Sequence, residues 1–208
     1  MLIGNAPVIL GPYGLDITEF LFCQDMPISL VGSTGVSIPD NLKFTAPLVN
    51  AVKADLHKNN IKLDGVYIYL TAKNTIVPAN QEQARPGWHT DGFGSADLNY
   101  IWYDKIPTVF CAGELEVSDD HELSMLEMAQ GCEGRELKTY PNHFLLKLDQ
   151  TVIHRCGTSE KTEQRAFIKI SVSKNKYNLQ GNAKNYLLNY DWDMLPRNQT
   201  RNNPHKPE

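Results

Sequence analysis

No stretch of this 208-residue sequence approaches the ~18 consecutive apolar residues that a membrane-spanning helix requires. The apolar opening lacks Lys and Arg and is interrupted by Gly4, Pro7, Gly11 and Pro12, which makes it a poor secretory signal. Cysteine is sparse. Cys23, Cys111, Cys132 and Cys156 form no CxxC pair, which argues against zinc-ribbon and thioredoxin-like chemistry. Scattered thiols without an export signal predict free cysteines throughout and a cytoplasmic protein. The sequon Asn198-Gln199-Thr200 then reads as a chance match. An excess of positive charge is also missing. With 20 Lys and Arg against 24 Asp and Glu the net charge is −4, so bulk charge does not hold this chain on nucleic acid. A local basic groove stays open as a reading. There is no internal repeat and no sign of a second domain.

What remains is ordinary globular material. Hydrophobic residues make up 41% and charged residues 21%, which argues against wholesale disorder. The length suits a single domain that buries a sizeable core without disulfide or metal staples. Residues 1–44 read as short strands and turns. Thr45 as N-cap, Pro47 in the first turn and Leu48, Val52 and Leu56 at four-residue spacing predict a helix ending near Asn59-Asn60. Strands are predicted over 66–72, 98–104, 108–112, 143–149, 151–156 and 165–173, from β-branched and aromatic runs bounded by turn residues. Ser118 starts a second, shorter helix that ends at Gly131. Between the strands, 73–88 is polar and without periodicity, the signature of a functional loop. The order predicts a mainly β fold with flanking helices on one outer face, a sandwich or open barrel. It forms one domain over 1–195, with 196–208 a loose, mildly basic tail carrying Arg197, Arg201, His205 and Lys206.

The chemistry concentrates in a few positions. Gly87-Trp88-His89-Thr90-Asp91-Gly92 places an imidazole and a carboxylate two residues apart, which on a strand puts both on one face. Alone, such a pair fits a turn with a His–Asp hydrogen bond as well as a cation site. His154 closes a β-type run and by itself fits a core histidine or a third ligand. With His89 and Asp91 it makes two histidines and one carboxylate, the facial set of non-haem Fe(II) oxygenases, whereas structural zinc closes all four positions. Arg165 lies eleven residues beyond His154, at the start of a strand whose Ala166, Ile168, Ile170 and Val172 suit packing under a helix. Arg165 then points to the opposite, inner side, where a buried guanidinium needs an anion: a structural ion-pair partner or a ligand carboxylate.

His89-Thr90-Asp91 … His154 … Arg165, with the run Phe144–Asp149 before Val152-Ile153-His154 and the ending of the 165–173 strand, resembles the Fe(II)/2-oxoglutarate-dependent dioxygenase superfamily. The resemblance is anchored over residues 66–173. It implies a double-stranded β-helix, the jelly-roll or cupin-like barrel, with a metal at its open mouth. It implies His89, Asp91 and His154 as Fe(II) ligands and catalytic residues, and Arg165 on the distal carboxylate of 2-oxoglutarate. It implies hydroxylation of a substrate with O2, giving succinate and carbon dioxide. Many members carry Ser or Thr two residues after that Arg; here the position is Phe167. Tyr69 is the chosen hydroxyl to share the cosubstrate, with Tyr67 and Tyr100 in competition. Arg85 and Trp88 in the loop before His89 offer charge and stacking to a substrate, or a packed Trp in a solvated loop. His57, His121, His143 and His205 lack ligand spacing. The substrate is open: a small molecule, amino acid or peptide is favoured and a nucleobase stays in view. Two other readings compete: a cupin-like metal enzyme that does not use 2-oxoglutarate, and a non-catalytic binding module on the same barrel.

Overall fold

The computed structural model describes residues 1–84 and 86–197. In chain order the strands are β1 (Leu2–Ile3), β2 (Val8–Pro12), β3 (Leu21–Ser29), β4 (Tyr67–Val77), β5 (Leu98–Tyr103), β6 (Val109–Cys111), β7 (Leu115–Glu116), β8 (Leu137–Thr139), β9 (Phe144–Leu148), β10 (Ile153–Arg155) and β11 (Glu163–Ser173). Helices α1 (Ala46–Lys58) and α2 (His121–Gly131) flank them. Among the described residues the strands form a six-stranded antiparallel sheet ordered β2-β9-β5-β11-β4-β3, a three-stranded sheet β10-β6-β8 and a small pair β1-β7. This is a mainly β fold with two helices, consistent with a double-stranded β-helix.

Alternation along the central strands decides which side chains meet the helix and which line the interior. On the outer face Ala166, Ile168, Ile170 and Val172 of β11 join Ile68, Leu70 and Ala72 of β4 and Tyr100 and Trp102 of β5. Against them α1 buries Leu48, Val49, Val52 and Leu56, the four-residue pattern legible in the sequence. Each such aliphatic side chain contributes about 1.5–3 kcal/mol when fully buried. On the inner face Ile101, Tyr103, Leu146, Leu148 and Phe167 pack with Phe110 of β6, joining the large sheet to the small one.

Several local expectations are corrected. Strand β4 runs to Val77, so residues 73–77 belong to a strand and not to the polar loop. Its partner β11 pairs with it from Glu163↔Val77 to Ser173↔Tyr67, and that long ladder holds polar residues extended. Thr45 occupies the N-cap position of α1, but its hydroxyl donates to the Leu42 carbonyl instead of capping. Asp120, not Ser118, caps α2, its carboxylate accepting from the Glu122 and Leu123 amides. The thiols are not all free. Cys111 of β6 and Cys132, just past α2, form a disulfide inside a small core with Ile3, Val117, Met128 and Ile153, and Cys23 and Cys156 remain free. The proximity arises because Met128 of α2 and Cys132 just past it share a buried cluster with Cys111, a contact that no spacing in the sequence encodes. The sequon at 198–200, His205 and the tail residues 198–208 lie outside the described residues, as does Arg85. No described helix is long and apolar enough to cross a membrane.

Candidate metal centre

His89 and His154 come from distant parts of the chain and are joined backbone to backbone. They form an isolated antiparallel bridge in which the His89 amide donates to the His154 carbonyl at 3.0 Å and the His154 amide to the His89 carbonyl at 2.9 Å. The His154 strand is fixed in turn by β6, with His154 opposite Phe110.

The imidazoles are oriented by their own backbones. Nδ1 of His89 lies 2.9 Å from the Gly87 carbonyl and Nδ1 of His154 lies 3.0 Å from the Val152 carbonyl. A carbonyl only accepts, so each Nδ1 carries a proton and Nε2 is the nitrogen that each ring can offer to a metal. Burial holds the His154 imidazole below the ordinary histidine range, against the pull of Asp91, and so keeps it neutral.

Asp91 completes the group. Its Oδ2 lies 3.9 Å from His154 Nε2, too long for a hydrogen bond, and one ligand atom from each of the three residues falls within 4.8 Å of the others. Burial pushes the Asp91 carboxyl up. Lys169 and the two imidazoles outweigh that push and hold it well below the usual carboxylate range. Gly92 follows at φ +73°, where a Cβ would come within 2.9 Å of Ser95 Oγ and 3.0 Å of Asp97 Cβ. The turn that aims Asp91 inward therefore needs glycine at that position. The neutral His154 imidazole, the ionised Asp91 carboxylate and the His89 ring beside them fit a divalent ion such as Fe(II), with coordination positions left open.

Arg165 opens the inner face of β11 and is 2% exposed. Its Nε donates to the carbonyls of Lys105 and Ile106, both at 3.0 Å, and Nη1 donates to Gln83 Oε1 at 2.5 Å. The guanidinium also stacks on the Phe167 and Tyr103 rings, with centroids at 5.0 and 5.7 Å. Nη2 is buried with no hydrogen-bond partner, and among the described residues no carboxylate lies within ion-pair distance. Gln83 is held in place by donating to Thr75 Oγ1 and the Arg165 carbonyl.

The structure places the other expected residues as follows. Tyr69 is fully buried, and its hydroxyl donates to the Asn175 carbonyl at 2.9 Å and accepts from the Tyr177 amide at 3.0 Å. Its ring stacks on Tyr177 at 4.1 Å, so it fastens the segment after β11 to the sheet. Tyr100 faces the opposite way and donates to Asp55 of α1 at 2.8 Å. Trp88 packs against the α2 core, with the Arg155 guanidinium over its ring at 4.8 Å.

Sequence reasoning missed three polar residues of this interior. Lys169, on the Arg165 face of β11, puts Nζ 3.5 Å from Asp91 Oδ2. Asn99, opposite Ser171 and accepting its hydroxyl at 2.6 Å, leaves Nδ2 buried without a partner. Gln83 supports Arg165. Of the three, only Lys169 carried a signal: an inward cation within a β-alternating run.

No protein family matches the sequence, and no curated protein does. Among solved structures the chain is similar to the crystal structure of EvdO2 from Micromonospora carbonacea var. aurantiaca, at 12% sequence identity with a TM-score of 0.42. The similarity covers 63% of this chain and 64% of that one, so the chain spans less than two thirds of that protein.

Proposed function

We propose that this chain is a non-haem Fe(II)- and 2-oxoglutarate-dependent oxygenase, built on one domain over residues 1–195. The observation that carries the reading is Arg165, a buried guanidinium with an unpartnered Nη2 and, among the described residues, no carboxylate within ion-pair distance, on the strand face that also bears Lys169 beside Asp91. A desolvated cation in that state calls for an anionic ligand. A dicarboxylate that chelates the metal at one end and meets Arg165 at the other meets that need.

His89, Asp91 and His154 would hold the metal and leave further positions to ligands. Fe(II) bound with 2-oxoglutarate and O2 would supply the oxidising chemistry, in which 2-oxoglutarate loses carbon dioxide and takes one oxygen atom to become succinate while the other oxygen atom enters a C–H bond of the substrate. The protein's share is binding and exclusion. Arg165 receives the distal carboxylate, and Phe167, Tyr103 and Ile106 keep water from it. No protein nucleophile or general base is required. The test is succinate formation with iron, ascorbate, 2-oxoglutarate and a panel of small molecules, amino acids, peptides and nucleobases. Absence of both coupled and uncoupled succinate in an iron-loaded protein refutes the reading.

A second reading rests on a specific observation. Nε and Nη1 of Arg165 are already occupied by the Lys105 and Ile106 carbonyls and Gln83, as suits a purely structural role. The chain would then be a metal-dependent enzyme on the same barrel without 2-oxoglutarate.

A further inference from the structure

Beyond Arg165, the inner faces of β4 and β11 carry two more cations. Lys169 stands opposite Thr71, and Lys73 is two residues further along β4, opposite Phe167. Thr71 and Lys73 share a face, so the two lysines are diagonal cross-strand neighbours, close enough for long side chains to converge. Like charges so placed repel, and a sheet interior makes the repulsion costlier.

The carboxylates nearby do not resolve this conflict. Lys169 has Asp91 at 3.5 Å, but Asp91 is the carboxylate of the metal group. Asp25 accepts from Thr71 Oγ1 at 3.0 Å and lies within ion-pair distance of neither lysine. Lys73 has no ion pair among the described residues. Its Nζ sits 4.9 Å from the centroid of the Phe22 ring, on edge strand β3, and that ring is 64% exposed. Burial, first, and the nearness of Lys169 lower the Lys73 ammonium and outweigh the opposing pull of Asp25.

The two ends of this cationic face differ. Arg165 is closed in by Gln83, Ile106, Tyr103 and Phe167, whereas Lys73 is half-buried, with its ammonium against the exposed Phe22 ring. A local rule broken inside a well-formed sheet marks a site whose compensation arrives with a ligand. We propose that the substrate is an anion whose carboxylate, sulfonate or phosphate group is received by Lys73, with Lys169 beside it, at the open flank of the metal centre. Phe22 offers the adjoining apolar contact, so the class is a small organic anion with an apolar body. This rests on the oxygenase reading above and adds the substrate class to it.

The test titrates sulfate by calorimetry into protein loaded with Mn(II) and saturating 2-oxoglutarate, and separately into metal-free protein. Wild type is expected to bind sulfate saturably in both. Lys73→Met should weaken sulfate at least tenfold and Lys73→Arg less than threefold, with 2-oxoglutarate affinity unchanged in each. Three results overturn the proposal: no saturation in wild type, sulfate affinity retained in Lys73→Met, or 2-oxoglutarate affinity falling in parallel with that of sulfate. The last would assign Lys73 to the cosubstrate. Failure of Mn(II) and 2-oxoglutarate to bind at all would refute the oxygenase reading, while the metal-free titration would still decide the lysine site.

Discussion

Arg165→Leu tests the cosubstrate assignment, and the structure sets its magnitude on two scales. The first is folding. The side chain supplies the donor to two backbone carbonyls, Lys105 and Ile106, and to Gln83. A buried acceptor left unsatisfied costs about 1–3 kcal/mol, so losing both carbonyl contacts lowers stability by roughly 2–6 kcal/mol before water re-enters. The second is binding. Removing one partner of a desolvated charge pair costs about 2–5 kcal/mol, which at ~1.4 kcal/mol per tenfold is a loss of ~30-fold or more in 2-oxoglutarate affinity. Metal affinity should barely change, because Arg165 does not belong to the His89, Asp91, His154 group. Calorimetry with Mn(II) and then 2-oxoglutarate separates the two affinities, and thermal melting reports the folding cost. Arg165→Lys provides the folded control: it keeps a charge but not the planar fork, and should recover only part of the loss. A folded Leu variant with wild-type 2-oxoglutarate affinity refutes the assignment. Should Leu not fold, wild-type affinity in Arg165→Lys does so.

His89→Ala and Asp91→Ala should each abolish turnover and weaken Fe(II) binding severely with the fold retained; unchanged iron affinity in calorimetric titration of both variants would sink the ligand assignment. The metal-free protein should lose stability as pH falls below about 6.5, because the unfolded chain takes up a proton there that folded His154, with its lowered pKa, refuses. Melting temperature against pH should show a slope between pH 7 and 5 that shrinks in His154→Asn; an equal slope in both proteins contradicts the argument. Intact mass after alkylation under native and then denaturing conditions should show two reactive thiols, Cys23 and Cys156, rising to four on reduction; four without reductant would remove the Cys111–Cys132 bond.

The sequence exposed those parts of the protein that are written in periodicity. Leu48, Val52 and Leu56 announced α1, and the alternation of Ala166, Ile168, Ile170 and Val172 set Arg165 on the inner face, as the packing bears out. The spacing of His89 and Asp91 and the β-type run into His154 brought forward three residues that the fold gathers within 4.8 Å. Contacts set by tertiary packing were invisible. Nothing in the spacing of Cys111 and Cys132 encodes the buried cluster that brings them together. Asn99 is an ordinary polar residue until the ladder directs it inward, and Gln83 until the bend after β4 brings it onto Arg165. Lys73 and Asn74 hid the β-branched run Thr75-Ile76-Val77, and the extension of that polar pair is held by the partner strand β11.

The mutual backbone bridge between His89 and His154 has a consequence for order of assembly. The first two ligands lie together early in the chain, and the third arrives only with β10, whose seat depends on β6 already being in place. During synthesis on the ribosome a chain that has not yet emitted β10 owns half a chelate and no more. A metal held by this group would wait for β10, while β11, central in the six-stranded sheet, follows later still. An ion such as Fe(II) would meet either a loose two-residue clamp or the full three-residue group, and its retention would report that β10 has docked on β6.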